Sequence, residues 1–436
     1  MSERQPIGVI GVGWVGLVTA SCFAELGHRV IARDVVAEKV EALGRGEVEM
    51  HEPNLAELVK RNAERLRFTT DVGEMLDAAR LLFVCVDTPP TPSGDADLSS
   101  VRTVVEDLSG GGDHAIVMKS TVPVGTGRTI MRELAGASYV SCPEFLREGS
   151  AVEDFLHPDR VVIGAEGADA AAADAVEGLY EPVGAPVVRT DVSSAEMIKL
   201  ASNAFLATKI SFINEIANVC EEVGADVSEV ARGMGLDERI GPRFLQPGLG
   251  YGGSCFPKDV SALKQLAGNS GYHFQLLNAV IEVNELQKRR VIKKLSKHLG
   301  SLVDKRIALL GLAFKPDTDD LREASSLVLA PRLQGEGAQV AAYDPVAATA
   351  RARELLPGVD MAASTLEALD GADAAILVTE WPEFAELDWA EAARRMGSPL
   401  LIDGRNFLDP AKLRAAGFTY EGIGHGAPVE IAGSAG

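Results

Sequence analysis

Cys255 lies in the run Gly248-Leu249-Gly250-Tyr251-Gly252-Gly253-Ser254-Cys255-Phe256-Pro257-Lys258-Asp259. Four glycines in six positions remove side chains from this stretch, which would let a substrate approach the backbone closely. A thiol there is accessible, and Lys258 could help hold it as the nucleophilic thiolate. The bland alternative is a buried cysteine in an ordinary glycine turn.

Three other clusters put polar side chains near the ends of elements: Lys119-Ser120-Thr121-Val122-Pro123 and Pro143-Glu144-Phe145-Leu146-Arg147-Glu148-Gly149, each after a strand, and the pair Lys199 and Asn203, four apart near the start of a long helical stretch. If the second cluster turns as helix, Glu144 and Glu148 share a face. Each has a structural alternative: a cap for Thr121, a solvated first turn for the glutamates, a surface site for Lys199.

A cofactor signal stands at the start of the chain. Gly11-x-Gly13-x-x-Gly16 follows an apolar strand, Ile7–Ile10, and opens a helix, with Asp34 ending the next strand. The glycines allow the turn, the pyrophosphate approach and the helix–strand packing, and Asp34 suits ribose hydroxyls while repelling a 2′-phosphate. NAD is therefore favoured over NADP, although Arg33 pulls weakly the other way. A thiol beside a nicotinamide has a definite use. Oxidation of an alcohol alone needs no thiol, whereas oxidation of an aldehyde to an acid proceeds by cysteine addition, hydride loss, and thioester hydrolysis. A lysine and an asparagine can steady the oxyanion, and a glutamate can position water.

These residues must be placed by more than one core, since the chain has 436 residues. Short apolar runs at 28–32, 81–86, 115–118, 139–142 and 160–164 alternate with helical stretches, which predicts a parallel, doubly wound sheet. From Ser193, with Glu196 three residues on as a capping box, a helix runs to Val223 and stops at Gly224. Residues 276–299 read as a second long helix, and the middle third shows no strand signal. Beyond 306 three segments repeat the N-terminal order: 307–311 echoes 7–11, 338–344 echoes 28–34, and 372–379 echoes 79–88. The first turn of that repeat, Gly311-Leu312-Ala313-Phe314, lacks the glycine fingerprint and predicts a ligand other than a dinucleotide. The fold class is α/β: two Rossmann-like doubly wound domains, 1–192 and 301–436, joined by a helical central domain, 193–300, with a long connecting helix. Residues 424–436 read as a loose tail.

With a net charge of −21, 46% hydrophobic and 24% charged residues, the chain is globular and repels nucleic acid and anionic membrane. No apolar run approaches the ~20 residues of a membrane span. The five cysteines show no paired spacing and the histidines no ligand spacing, so no metal is expected, and a cytoplasmic, reducing location is. The N-terminus shows no signal-peptide pattern.

Taken together, these motifs resemble the nucleotide-sugar 6-dehydrogenases, the UDP-glucose/GDP-mannose dehydrogenase family, over roughly residues 6–420. The residues that carry the resemblance are the glycine turn, 143–149, Glu196 to Asn203, the cysteine loop, Phe314-Lys315-Pro316-Asp317-Thr318-Asp319-Asp320-Leu321-Arg322-Glu323, and Asp403-Gly404-Arg405-Asn406. The resemblance implies oxidation of a sugar C6 alcohol to a carboxylate with two NAD, with UDP-glucose as substrate and GDP-mannose or a UDP-N-acetylhexosamine as the alternatives. It makes Cys255 the nucleophile and Lys199 and Asn203 the oxyanion residues. Thr121, Glu148 and Asp259 act through water, with Glu144 in support. Gly11, Gly13, Gly16, Asp34, Lys39, Thr88, Thr121, Glu148, Lys258 and Arg322 contact NAD. Glu144, Phe145, Leu146, Glu148, Lys199, Asn203, Phe244, Leu245, Gly248, Gly252, Lys315 and Arg405 contact the sugar nucleotide, and Arg239 reaches a neighbouring subunit's site. A homodimer or larger homo-oligomer through the middle is implied. Two departures stand out: Cys142, where the family often has Asn, and Asp87, where it often has Gly or Asn before Thr-Pro. A one-step β-hydroxyacid dehydrogenase shares the Rossmann domain and the Lys/Asn pair but leaves Cys255 and the last domain unused. A non-catalytic NAD-sensing protein is the third reading.

Overall fold

The computed structural model describes residues 6–108, 113–134, 137–347 and 350–425. The expected tail falls largely on 426–436, outside the described residues. The chain divides into two compact units, one of residues up to 202 with 261–273, the other of 203–260 with residues from 274 onward.

The first unit is built on an eight-stranded sheet. Its strands are β1 (Ile7–Ile10), β2 (Val30–Arg33), β3 (Leu66–Thr69), β4 (Leu81–Val84), β5 (Ala115–Met118), β6 (Ser138–Ser141), β7 (Val161–Gly164) and β8 (Val187–Thr190), in the order β3-β2-β1-β4-β5-β6-β7-β8. All neighbours are parallel except β6 and β7. β1, β5 and β7 are buried at every residue, as expected of strands covered by helices on both faces. The sequence reading missed β3 and β8. Both are edge strands, and exposed Arg67 in β3 and a half-exposed β8 interrupt the apolar run that marks the others.

The second unit carries β9 (Arg306–Leu310), β10 (Gln339–Tyr343), β11 (Asp360–Met361), β12 (Ala374–Leu377), β13 (Leu400–Asp403) and β14 (Thr419–Glu421) in the order β11-β10-β9-β12-β13-β14. This repeats the order of β3-β2-β1-β4-β5-β6. Detail repeats as well. The carboxylate of Asp34, after β2, accepts the Val12 N–H at 2.9 Å. Asp344, after β10, accepts the Leu312 and Ala313 N–H groups at 2.6 and 3.0 Å. Gly11 and Gly311 make the same left-handed turn, with φ of 86° and 92°.

Helices fill the stretch from Val192 to Leu299. The helix Val192–Val223 is continuous over 32 residues. Its cap differs from the expected Ser193–Glu196 box. Asp191 takes the Ser194 N–H and hydroxyl at 3.0 and 2.6 Å, and Glu196 instead accepts the Gly125 and Gly127 N–H groups, both at 2.7 Å. The expected helix over 276–299 is two, Gln275–Gln287 and Arg290–Leu299. The break turns consecutive residues inward: Gln287 donates to Gly248 O, and Lys288 pairs with Glu285. Both are buried, which one straight amphipathic face does not allow.

Candidate functional site

In the first unit the dinucleotide turn has the required shape. A Cβ at Gly16 would collide with Gly11 O, whereas a Cβ at Gly13 would meet nothing within 4 Å. The third glycine thus serves packing and the second leaves an open cradle. Gly13 is also the N-cap of the helix Trp14–Glu25, so no cap side chain occupies the first N–H groups, which suits a pyrophosphate. Asp34 Oδ1 accepts the Val36 N–H at 3.1 Å, and Oδ2 receives Lys39 Nζ at 3.3 Å. Burial pushes the Asp34 carboxyl up, but the Val12 and Val36 N–H groups and the Lys39 ammonium outweigh it and hold the carboxyl below the usual aspartate value. Arg33 pairs with Asp107 at 3.2 Å, so the cation that argued for a 2′-phosphate has an acid of its own. Thr88 donates its hydroxyl to Thr121 O at 2.8 Å, tying together the loops after β4 and β5. Asp87 accepts the Ser100 hydroxyl at 2.9 Å.

The 143–149 segment is not helical, so Glu144 and Glu148 do not share a helix face. Glu144 Oε2 accepts the N–H of Leu146 at 2.6 Å, a local turn that competes with helix. Its Oε1 receives Lys199 Nζ at 2.8 Å, and both side chains are buried, at 5% and 3% exposure. Glu144, expected only to support, thus meets Lys199 directly. Phe145 has two cations near its ring, with the Arg160 guanidinium 3.7 Å and Lys199 Nζ 5.5 Å from its centre. Arg160 was not among the expected site residues, and no local spacing marks it. Glu148 is buried.

In the second unit Cys255 immediately precedes the helix Phe256–Asn269, whose first turn closes from Asp259 N to Cys255 O at 2.9 Å. The positive end of a helix favours a thiolate. Cys22, Cys85, Cys142 and Cys220 are buried and Cys255 is not. Burial pushes the Cys85 thiol up to about 12 and raises those of Cys22 and Cys220. Asp259 is 1% exposed and accepts Lys258 Nζ at 2.7 Å on one oxygen and Asn203 Nδ2 at 2.6 Å on the other. Lys258 thus meets an acid rather than serving the thiol alone.

The loop glycines do something the sequence reading did not foresee. Their missing side chains make room for the protein itself. A Cβ would strike Gly404 O from Gly248, Asn284 Oδ1 from Gly250, Glu323 O from Gly252 and the Phe314 ring from Gly253. Arg405 binds the same parts, donating to Val378 O, Gly250 O and Phe314 O at 2.8, 3.3 and 3.2 Å. Arg322 pairs with Asp320, and Arg239, 88% exposed, with Asp237. Lys315 Nζ lies 5.4 Å from the Phe314 ring centre. Leu245 is buried. Phe244 has φ of 65°, and Asp317, Glu323 and Asn406 are also left-handed. Such strain in non-glycine residues gathers at ligand sites. Among the described residues no group of acids, histidines and cysteines could hold a metal, and no helix is long and apolar enough to cross a membrane.

Three sequence models of one family match in order: the NAD binding domain of the UDP-glucose/GDP-mannose dehydrogenase family over residues 5–184, its central domain over 193–286 and its UDP binding domain over 308–410. The chain belongs to the UDP-glucose/GDP-mannose dehydrogenase family. It is 46% identical to UDP-glucose 6-dehydrogenase TuaD of Bacillus subtilis, over 96% of this chain and 93% of that one. It is 44% identical to the UDP-glucose 6-dehydrogenase of Rhizobium meliloti, over 96% and 99%. The solved structure of a UDP-glucose dehydrogenase from Pyrobaculum islandicum superposes with a TM-score of 0.90 at 39% identity, covering 98% of this chain and 99% of that one. The chain is thus an NAD-dependent oxidoreductase with a UDP-binding domain. The open cradle at Gly13 fits the family's cofactor, and the C-terminal turn without the glycine fingerprint fits a different nucleotide.

Proposed function

We propose that the protein oxidises the C6 alcohol of UDP-glucose to the carboxylate of UDP-glucuronate. The observation that carries this reading is Cys255 at a helix N-terminus with Asp259 one turn on, buried and held by Asn203 and Lys258. NAD, when bound, accepts the hydride in each of two oxidations. The hydroxyl proton passes through water to Asp259 as the first hydride leaves, which gives an aldehyde. The Cys255 thiolate adds to its carbonyl carbon, forming a C–S bond and an oxyanion that Lys199 and Asn203 steady. Loss of the second hydride leaves a thioester. Water then attacks, its proton passes to a carboxylate, the C–S bond breaks and the thiolate is restored. Glu144, paired with Lys199, positions this water together with Thr121 and Glu148, while Asp259 exchanges protons beside the thiol. The relatives named as UDP-glucose 6-dehydrogenases, at 44–46% identity, support UDP-glucose over GDP-mannose or a UDP-N-acetylhexosamine.

The three-part division at 192 and 300 and the assignment of Arg239 to a neighbouring subunit belong to this reading. So does a homodimer. Phe205, Phe212 and Val219, spaced by seven on the long helix, are 66, 49 and 55% exposed, an apolar stripe suited to a second copy. Five free cysteines accord with a cytoplasmic setting.

The test is purified protein with NAD and each of UDP-glucose, GDP-mannose, UDP-N-acetylglucosamine and UDP-N-acetylmannosamine, with NADH counted per sugar. Two NADH per UDP-glucose are expected in the wild type, and no carboxylate from Cys255→Ser. One NADH per sugar, or preferred turnover of another sugar nucleotide, would overturn the reading.

A further inference from the structure

Glu52 belongs to none of the motifs described above. Glu52 is buried, at 6% exposure, and its carboxylate accepts three N–H donors. Oε2 takes the Trp14 indole Nε1–H at 2.9 Å and the Gly149 N–H at 2.8 Å, and Oε1 takes the Ala151 N–H at 2.8 Å. Trp14 lies within the dinucleotide turn and begins its helix. Gly149, with φ of 81°, ends the 143–149 segment directly after Glu148. Three segments distant in sequence thus meet on one buried carboxylate.

Helix capping explains part of this arrangement. Ser150 precedes the helix Ala151–Leu156 but makes no side-chain cap bond; its hydroxyl turns to Asp154. Glu52 serves the Gly149 and Ala151 N–H groups in its place. Capping does not explain the bond to Trp14, which reaches 38 residues back into the cofactor turn. An ionised acceptor makes strong, directional hydrogen bonds, and burial raises the cost of leaving any of them unmade.

We propose that Glu52 is a positioning residue that locks the cofactor turn to the 143–149 segment, so that NAD binding and the placement of Glu144 and Glu148 are set together. It touches no reacting atom and acts only through the two segments it joins. The proposal rests on the roles given above to Glu144 and Glu148.

The test is a double-mutant cycle of Trp14→Phe and Glu52→Gln. NAD affinity is measured by calorimetry without sugar, and kcat and KM are measured with UDP-glucose at saturating NAD. Each single variant is expected to weaken NAD binding by roughly 5-fold and to lower kcat by roughly 10-fold, with KM for UDP-glucose within about twofold. The double variant should be no worse than the worse single one, because both cut the same connection. Trp14→Phe within about twofold of wild type in both affinity and kcat, or a double variant equal to the product of the singles, would overturn the lock and leave Glu52 a helix cap. If Glu52→Gln does not fold, Trp14→Phe against wild type decides. Wild-type protein that turns over no sugar nucleotide would sink the proposed reaction alone, since the NAD arm needs no sugar.

Discussion

Asn203 donates its side-chain amide to Asp259 at 2.6 Å, although 56 residues separate them. The other Asp259 oxygen receives Lys258 at 2.7 Å, so an almost fully buried carboxylate is held from both sides one helical turn from Cys255. Asp259→Asn keeps the shape and removes the charge. It is expected to fold normally and to lose roughly 10²-fold or more in kcat. A rate within about threefold of wild type, with circular dichroism unchanged, would remove Asp259 from the proton-moving steps.

Lys199 and Glu144 form a buried ion pair at 2.8 Å. Lys199→Ala should cost roughly 10²-fold in rate, about 3 kcal/mol. It should also cost roughly 3 kcal/mol of stability, because Glu144 is left charged and buried without its partner. Adding Glu144→Gln should restore stability but not rate. Recovery of both would show that the pair is structural only. Urea unfolding and steady-state kinetics on the three variants separate the two effects.

The glycines divide into those that leave space and those that fill it. Gly253 has φ of 84° and faces the Phe314 ring, 2.7 Å from a would-be Cβ. Gly253→Ala is expected to destabilise by about 2–4 kcal/mol through strain and overpacking. Gly13→Ala, in open space, should leave stability within about 1 kcal/mol and weaken NAD binding instead. Unfolding curves and NAD titrations that fail to show this crossover would contradict the two assigned purposes.

Lys294 pairs with Glu221 at 2.7 Å and with Glu421 at 2.9 Å. Burial pushes both carboxyls up, but Lys294 and further donors (the Gly424 N–H for Glu221, His298 for Glu421) outweigh it and hold both below the ordinary 4.5. The unfolded chain therefore binds protons first as pH falls. The stability these groups contribute is present above about pH 4.5 and is lost as pH drops through their folded values. Lys294→Met should lose roughly 3 kcal/mol at pH 7 and show a shallower fall in acid. Parallel acid-unfolding curves for variant and wild type would refute this.

Much of the chemistry was legible because it depends on local backbone demands. The turn at Gly11, the acid at Asp34 and the thiol before a helix are each encoded within a few residues, and the C-terminal repeat shows in apolar runs of matching order. Cys255, Lys199, Asn203 and Asp259 are proposed as site residues from the sequence alone, and the structure adds that Asn203 meets Asp259 and Lys199 meets Glu144. What was misread or missed involved partners and edges: Glu196 caps no box of its own, the Glu144–Lys199 pair had no local signal, and β3 and β8 lack the fully apolar run of buried strands.

By itself the sequence determined the class of reaction and the two-fold repeat of the nucleotide-binding fold. Those rest on residue types at short, rigid spacings, and a glycine or an apolar strand announces its own requirement. Only the tertiary structure decided who holds whom. The three donors on Glu52, the carbonyls around Arg405 and the packing that fills the glycine loop all join segments dozens of residues apart or more. No periodicity records such meetings. They arise when buried polar groups must find partners and the core leaves only certain donors within reach.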